Sequence, residues 1–127
     1  MGNTADFVEH VVELMRRTAG PTARARAMFG GHGLYADGII VGILIDDVVY
    51  LKTDDGNRAE FVARDLEPFV YRMRHGDAIT MSYHRAPDEA MESPDAMADW
   101  LRSAMGAAGR AAAKKPPKPA AVRARKA

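Results

Sequence analysis

A glycine-rich segment, residues 26–38, places the tightest limits on how this chain can fold. Three of the four residues at positions 30–33 are glycine, an Asp37-Gly38 pair follows, and an apolar, β-branched run begins at Ile39. An Asp-Gly pair between two β-type runs favours a two-residue hairpin turn. Glycine within a strand pattern marks a bulge or a close backbone approach. The segment therefore predicts a sharply bent antiparallel hairpin.

Two kinds of ligand-binding loop have similar spacing. Residues 31–36 fit the G-x-G-x-x-A form of a dinucleotide loop, but a strand pattern follows where a helix would have to hold the pyrophosphate. Residues 30–33 are similar to esterase oxyanion loops, yet none of the three serines lies in a G-x-S-x-G motif. A structural bend is the better interpretation. The predicted bend comprises Met28, Phe29, Gly30, Gly31, Gly33, Tyr35 and Gly38.

The other segments predict helices and strands in a definite order. Thr4 is suited to cap a helix that Gly20-Pro21 ends, and Ser93-Pro94 is suited to begin the last helix. Between them we expect β-type segments at about 24–29, 33–36, 39–45 and 48–53, a short helix to residue 62, and a second hairpin over 69–84. The order is α-β-β-β-α-β-β-α, with three or four strands in the first cluster. This predicts an α+β two-layer sandwich, an antiparallel sheet of about five strands with flanking helices.

The distribution of charge divides the chain in two. Residues 1–110 hold 12 Lys/Arg and 17 Asp/Glu, a net charge of −5, whereas residues 111–127 hold six basic residues and no acidic one. The second segment is rich in Ala and Pro and lacks large apolar side chains, so we expect a disordered tail after a domain at 1–110. Its basic residues are Lys114, Lys115, Lys118, Arg123, Arg125 and Lys126.

Composition disfavours several classes of site. The chain has no cysteine, and its four histidines show no i, i+4 pair of the kind that binds zinc on a helix. We therefore expect no metal site, no cofactor and no disulfide. No secretory leader or membrane-spanning run is visible, since the longest apolar stretch, 39–45, is far shorter than the roughly 20 residues a span needs. A cytoplasmic location is expected.

The second hairpin alternates between apolar and polar residues. If the helices cover the apolar set (Phe69, Tyr71, Met73, Ile79, Met81 and Tyr83), the other face becomes basic. That basic face would carry Arg72, Arg74, Thr80, Ser82 and His84, with Arg24, Arg26 and Lys52 added by alternation. The strand at 39–45 is apolar on both sides, Ile39, Val41, Ile43 and Ile45 alternating with Ile40, Gly42 and Leu44. Its outer side needs a cover, which a second copy, another protein or a segment of this chain would supply.

A set of short motifs in a fixed order resembles the N-terminal domain of the TfoX/Sxy family of bacterial competence regulators. The resemblance covers about residues 5–108 and rests on Met28-Phe29-Gly30-Gly31, Gly33-Leu34-Tyr35, Asp37-Gly38, Gly42, Asp46-Asp47, Leu51-Lys52, Asn57-Arg58, Phe61, Pro68-Phe69, Met81-Ser82-Tyr83, Pro87-Asp88-Glu89, Ser93-Pro94 and Trp100. It implies a helix-flanked antiparallel sheet and a non-enzymatic role, with no catalytic residues. The basic tail stands where two-domain members continue into a helical C-terminal domain.

Three functions follow from these observations. The resemblance implies a regulatory protein-interaction domain, a transcriptional co-activator whose partner is the transcription machinery or a DNA-bound activator. The tail, with Arg72 and Arg74, favours a nucleic-acid-binding accessory protein as an alternative. A small-molecule or enzymatic site around His32, Tyr35, Lys52 and Tyr83 is the third, and it requires a concave pocket lined by those side chains.

Overall fold

The computed structural model describes residues 2–28 and 30–114, which form a six-stranded antiparallel sheet and three α-helices. The predicted two-layer α+β class is confirmed, with four strands in the first cluster and one strand more in total than the five expected. In chain order the elements are α1 (Ala5–Ala19), β1 (Arg24–Met28), β2 (Gly31–Ala36), β3 (Ile39–Ile45), β4 (Val48–Lys52), α2 (Arg58–Val62), β5 (Pro68–Arg72), β6 (Ala78–Arg85) and α3 (Pro94–Lys114).

Capping residues determine where the two long helices begin. The Thr4 hydroxyl accepts a hydrogen bond from the Phe7 amide at 3.3 Å, which satisfies one of the unpaired donors of the first turn of α1. Gly20, with a φ of 80°, ends the helix. The Ser93 hydroxyl accepts bonds from two first-turn amides of α3. The cap-type residues thus mark the helix starts that the sequence predicts.

The end of α3 bears on the predicted domain boundary. The helix continues to Lys114, so the boundary expected at residue 110 falls within it. The other basic residues of the predicted tail (Lys115, Lys118, Arg123, Arg125 and Lys126) lie outside the described residues.

Two tight turns join β2, β3 and β4 within the meander of the first four strands. The turns are Asp37-Gly38 and Asp46-Asp47, and all four residues have φ between 51° and 79°. Two consecutive residues in the left-handed region match the right-handed twist of the strands that they join. The strand order is β1-β2-β3-β4-β6-β5, so β1 and β5 are the edges of the sheet.

The helices pack on one side of the sheet around an apolar core. Val11 and Met15 of α1, Phe61 of α2, and Met97 and Leu101 of α3 are almost fully buried there. The strands contribute the side chains of Leu34, Ala36, Val41, Leu44, Val49 and Leu51. Burial of this apolar surface is the main source of stability for the fold. We call the opposite side of the sheet the open face.

An irregularity in β3 changes which of its residues point to the helices. Leu34 pairs with Gly42 but Tyr35 pairs with Ile40, so Val41 is an extra residue on β3 and forms a bulge. The bulge lets both Val41 and Leu44 enter the core. The strict alternation expected for this strand is therefore wrong, although the strand is apolar on both sides as predicted.

The orientation assumed for the second hairpin is also wrong. Leu51 pairs with His84, and Leu51 faces the helices, so His84 faces them too and is only 5% exposed. Tyr83 pairs with Lys52 and points to the open face. The apolar set of the hairpin therefore lies on the open face, because the register of β6 against β4 decides the side and the alternation alone does not. The predicted continuous basic face does not form among the described residues of the sheet.

Candidate functional site

The glycines of the first hairpin allow turns and close contacts. Gly30 and Gly38 adopt φ of 76° and 79°, a region that side-chain-bearing residues rarely enter. At Gly31 an added Cβ would lie 2.5 Å from the Leu44 carbonyl oxygen, so only glycine fits beside β3 without a shift. Phe29, the remaining member of the turn, lies outside the described residues.

Gly33 has a different role on the open face. A Cβ there would come within 3.0 Å of both the Met28 Cε and the Tyr35 ring. The side chains of Met28 and Tyr35 therefore lie over Gly33, close to the sheet. Because Gly33 has no side chain, the Met28 and Tyr35 side chains can pack directly against the sheet at this position.

The open face holds a cavity of about 480 Å³. Its walls come from β1, β2, β3 and the β5–β6 hairpin, which places the hairpin side chains across from those of the first strands. The lining residues are Met28, His32, Ile40, Ile43, Ile45, Phe69, Tyr71, Met73, Ile79, Met81 and Tyr83. A concave, mostly apolar site of this volume is in the range that small molecules occupy in proteins.

Three cations lie over two tyrosine rings on the same face. The guanidinium groups of Arg24 and Arg26 lie 5.9 and 5.8 Å from the centroid of the Tyr35 ring. The Lys52 ammonium lies 4.9 Å from the centroid of the Tyr83 ring. These distances are within the range of cation–π attraction. Positive charge therefore lies beside a cavity that is otherwise apolar.

Burial changes the acidity of two tyrosines on this face. Desolvation raises the pKa of Tyr83 above its usual value, and the nearby Tyr35 phenol raises it further. Desolvation also raises the pKa of Tyr50, with a smaller contribution from Glu67. Both phenols therefore keep their protons at neutral pH and act as hydrogen-bond donors.

His32 is held by a structural hydrogen bond. The Asn3 amide donates to its Nδ1 at 2.8 Å and also donates to the Leu44 carbonyl oxygen at 2.8 Å. The Asn3 side-chain oxygen accepts from the Asp47 amide. Asn3 thus joins the start of α1 to β2 and to the β3–β4 turn, and His32 helps to position it.

His84 is buried on the helix side. Its Nδ1 lies 3.1 Å from the Thr53 hydroxyl, and its ring centroid is 5.8 Å from that of Phe61. Desolvation, and then the charge of Arg58, lower its pKa below the usual value. His84 is therefore a neutral core residue at physiological pH.

Asn57 and Asp54 fasten the loop after β4 to α3. The buried Asn57 amide donates to the Lys52 carbonyl oxygen and to both oxygens of Ser103. Asp54 forms a two-point ion pair with Arg110 at 2.6 and 2.9 Å, which lowers the pKa of Asp54 to about 2. These contacts give the Asn57-Arg58 motif and the acidic pair after Thr53 a structural role.

The structure brings together only part of each predicted site. His32 and Tyr83 line the cavity, whereas Tyr35 and Lys52 lie beside it on the open face. Arg72 ends β5, Arg74 lies in the turn that follows, and Lys114 lies at the far end of α3. These basic residues therefore form no single patch with Arg24 and Arg26.

Sequence reasoning misses the apolar character of the cavity. Two features of the sequence could have indicated it: the many large apolar residues of the second hairpin, and the apolar residues on both sides of β3. The sequence interpretation assigns these hairpin residues to the side that the helices cover. With that assignment the same residues cannot line the open face, so the cavity is not predicted.

Residues 2–28 and 30–114 contain no group of three or more His, Asp or Glu side chains placed to hold a metal ion. None of the helices in the same residues has the length and apolar character to cross a membrane.

Comparison with known families identifies the domain. The model of the TfoX N-terminal domain matches residues 14–108. The match covers most of the chain and includes both hairpins, α2 and nearly all of the core, so the chain belongs to this family. Comparison with curated proteins finds no match.

Proposed function

Because the chain is a member of the TfoX N-terminal domain family, we propose that it is a non-enzymatic regulatory domain that acts by binding another protein. The proposed partner is a component of the transcription machinery or a DNA-bound activator, in keeping with the competence-regulator role associated with the family. The observation that carries the proposal is an exposed apolar surface on the β5–β6 hairpin.

This hairpin surface consists of Tyr71, Ile79 and Met81, which are 45%, 49% and 38% exposed. Monomeric proteins rarely leave several large apolar side chains exposed side by side unless the patch binds something. Methionine and tyrosine are well suited to such contacts, since methionine adapts its shape and tyrosine adds a hydrogen-bonding group. The surface thus has the composition of a protein-binding patch.

The charge beside this surface indicates the chemistry of the partner. Arg72 and Arg74 lie at the distal end of the hairpin, where Arg72 pairs with Ala78 and so lies on the side of the sheet opposite Tyr71 and Ile79. An acidic segment with one apolar side would bury the hairpin surface, and acidic residues that continue round the end of the hairpin would come near these arginines. We therefore assign the occupant as an acidic, amphipathic segment of the partner protein.

A pull-down with purified transcription components tests the proposal. The double variant Ile79→Ser/Met81→Ser removes the apolar contact, and Val62→Ser, an exposed residue of α2, is the matched control. We expect the wild type and Val62→Ser to retain RNA polymerase or a DNA-bound activator, and the double variant to retain about tenfold less. Circular dichroism checks that each variant is folded.

Gene deletion supplies the complementary measurement. Deletion should change a specific set of transcripts, and the wild-type gene but not the double variant should restore them. Equal retention by all three proteins, or an unchanged transcript profile on deletion, would contradict the proposal. Sedimentation of the wild type as a dimer that the double variant abolishes would assign the surface to a second copy instead.

The charge of residues 111–127 favours a second candidate function, binding of nucleic acid. Six basic residues without an acidic one would attract phosphate groups, and each phosphate contact releases counterions. If all six take part, the logarithm of the affinity should fall against the logarithm of the salt concentration with a slope of roughly −5. Deleting residues 115–127 should remove most of this slope, and an unchanged slope would exclude the role.

A further inference from the structure

We propose that the cavity on the open face binds a small amphipathic anion, a molecule with an apolar chain or ring and one carboxylate or phosphate group. This goes beyond the proposed protein-binding role, because it concerns a small ligand inside the cavity that Tyr71, Ile79 and Met81 help to line, and the cations beside that cavity. Three features support such a ligand: the lining of the cavity, the row of cations and the phenols.

The lining determines the apolar part of the ligand. Isoleucines of β3 form one wall, and Phe69, Met81 and Tyr83 belong to the opposing hairpin. The lining contains no Asp, Glu, Lys or Arg side chain, and the ring of His32 is already hydrogen-bonded to Asn3. An apolar group gains free energy on entering such a site, whereas a polar group would lose its hydration without replacement.

The cations determine the charge of the ligand. Arg24, Arg26 and Lys52 all point to the open face, where they lie over Tyr35 and Tyr83. Tyr83 lines the cavity. The Tyr35 ring lies over Gly33, next to the side chain of Met28, which also lines the cavity. A negatively charged head group at this position would be near three positive charges while its apolar part occupies the cavity.

The two phenols add hydrogen-bond donors at the same place. Tyr35 is close enough to Tyr83 to influence its ionisation, and Tyr83 remains protonated at neutral pH. Protonated phenols donate to anions, and charge-assisted hydrogen bonds are stronger than neutral ones. Together the cations and phenols form a recognition site for one anionic group.

The same charges disfavour the basic segment of this chain as the occupant. Residues 111–127 carry six positive charges, which would be repelled by Arg24, Arg26 and Lys52. Their Ala, Pro, Lys and Arg residues also offer little large apolar surface to fill the cavity. A separate anionic molecule is the better match.

Titration with three ten-carbon probes tests the proposal on the full chain. Decanoate, decanol and decyltrimethylammonium share one apolar tail and differ in head-group charge. We expect decanoate to bind with one-to-one stoichiometry in calorimetry and to shift the methyl NMR signals of Ile43 and Met81. Decyltrimethylammonium should bind at least about tenfold more weakly.

Charge variants locate the head group without altering the hairpin. Arg26→Gln/Lys52→Gln should weaken decanoate binding by about tenfold and leave decanol binding nearly unchanged. Arg102→Gln, an exposed arginine of α3 on the helix side, is the control and should leave both unchanged. Equal binding of all three probes, or no methyl shifts with decanoate, would overturn the proposal.

A vesicle-binding experiment distinguishes binding of a single small molecule from binding to a membrane surface. Phosphatidylglycerol vesicles should not retain the protein once decanoate fills the cavity. Retention that decanoate does not reduce would overturn the proposal in favour of surface binding. Ile79 and Met81 belong to both the hairpin surface and the cavity lining, so the hairpin variant bears on both proposals, whereas the charge variants bear on the ligand alone. Arg26→Gln/Lys52→Gln should therefore weaken decanoate binding while the pull-down of the partner protein stays at the wild-type level, which makes failure of one proposal distinguishable from failure of the other.

Discussion

The two sides of the sheet carry similar apolar residues, but these side chains are buried on one side and partly exposed on the other. On the helix side, Leu34, Leu44 and Leu101 are completely buried in one continuous core. On the open face, Tyr71, Ile79 and Met81 keep 38% to 49% of their surface exposed around a cavity. The difference shows that an apolar strand face identifies a surface to be covered, while the register and the helix positions decide what covers it.

The largest expected effect comes from equal truncations on the two sides. Leu101→Ala should lower the free energy of unfolding by about 3–4 kcal/mol, because it leaves a cavity in a closely packed core. Ile79→Ala should cost about 1 kcal/mol or less, since its side chain is already half exposed. Urea unfolding measures both. Similar losses for the two variants would show that the hairpin surface is part of the folding core rather than a surface left open for binding.

The glycines of β2 sharpen the comparison within the open face. Gly31→Ala would place a Cβ 2.5 Å from the backbone oxygen of Leu44 and should destabilise the fold by about 2–3 kcal/mol. Gly33→Ala meets only the flexible end of Met28 and the Tyr35 ring, at 3.0 Å, and should cost about 1 kcal/mol. Thermal or urea unfolding separates them. If Gly33→Ala were the more harmful, the open face would be packed as tightly as the core.

The smallest effect is expected from an ion pair on the helix side. The Arg110 guanidinium holds the pKa of Asp54 at about 2, below its usual 3.8, so the ionised carboxylate favours the folded state. This contribution to stability is complete above about pH 4 and is lost as the pH falls through about 2. The reason is that the Asp54 carboxylate takes up its proton at a lower pH in the folded chain than in the unfolded chain.

The variant Asp54→Asn should therefore lower the melting temperature slightly at pH 7, with the difference from wild type fading between pH 4 and 2. The effect is modest because Arg110 is half exposed and water screens the pair. Melting curves across this range provide the measurement. A difference that persists unchanged at pH 2 would mean that hydrogen bonds of Asp54, rather than its charge, carry the effect.

Much of the fold could be predicted from local signals. Thr4, Gly20 and Ser93 mark the helix ends because capping requires particular side chains or backbone angles close in sequence. Asp37-Gly38 marks the first turn for the same reason. Such signals depend on a few neighbouring residues, so one sequence is enough to identify them.

The candidate site depends on long-range pairing and could not be predicted in the same way. The assignment of His84 to a basic face is wrong because its side follows from pairing with Leu51, 33 positions earlier. The bulge at Val41 reverses the alternation of β3 through its pairing with β2. The cavity exists only once these registers are set. The sequence does place Tyr83 and Lys52 among the predicted site residues, and the structure joins them through a cation–π contact.

Oxidation of methionines in the full chain tests most directly which side of the sheet the helices leave open. Hydrogen peroxide oxidises exposed methionines first, and mass spectrometry of peptides measures the rate at each one. Met81 is 38% exposed on the open face, whereas Met97 of α3 is fully buried in the core between the helices and the sheet. We predict that Met81 reacts at least about tenfold faster than Met97. Equal rates, or faster reaction at Met97, would contradict an open face on the side of Met81.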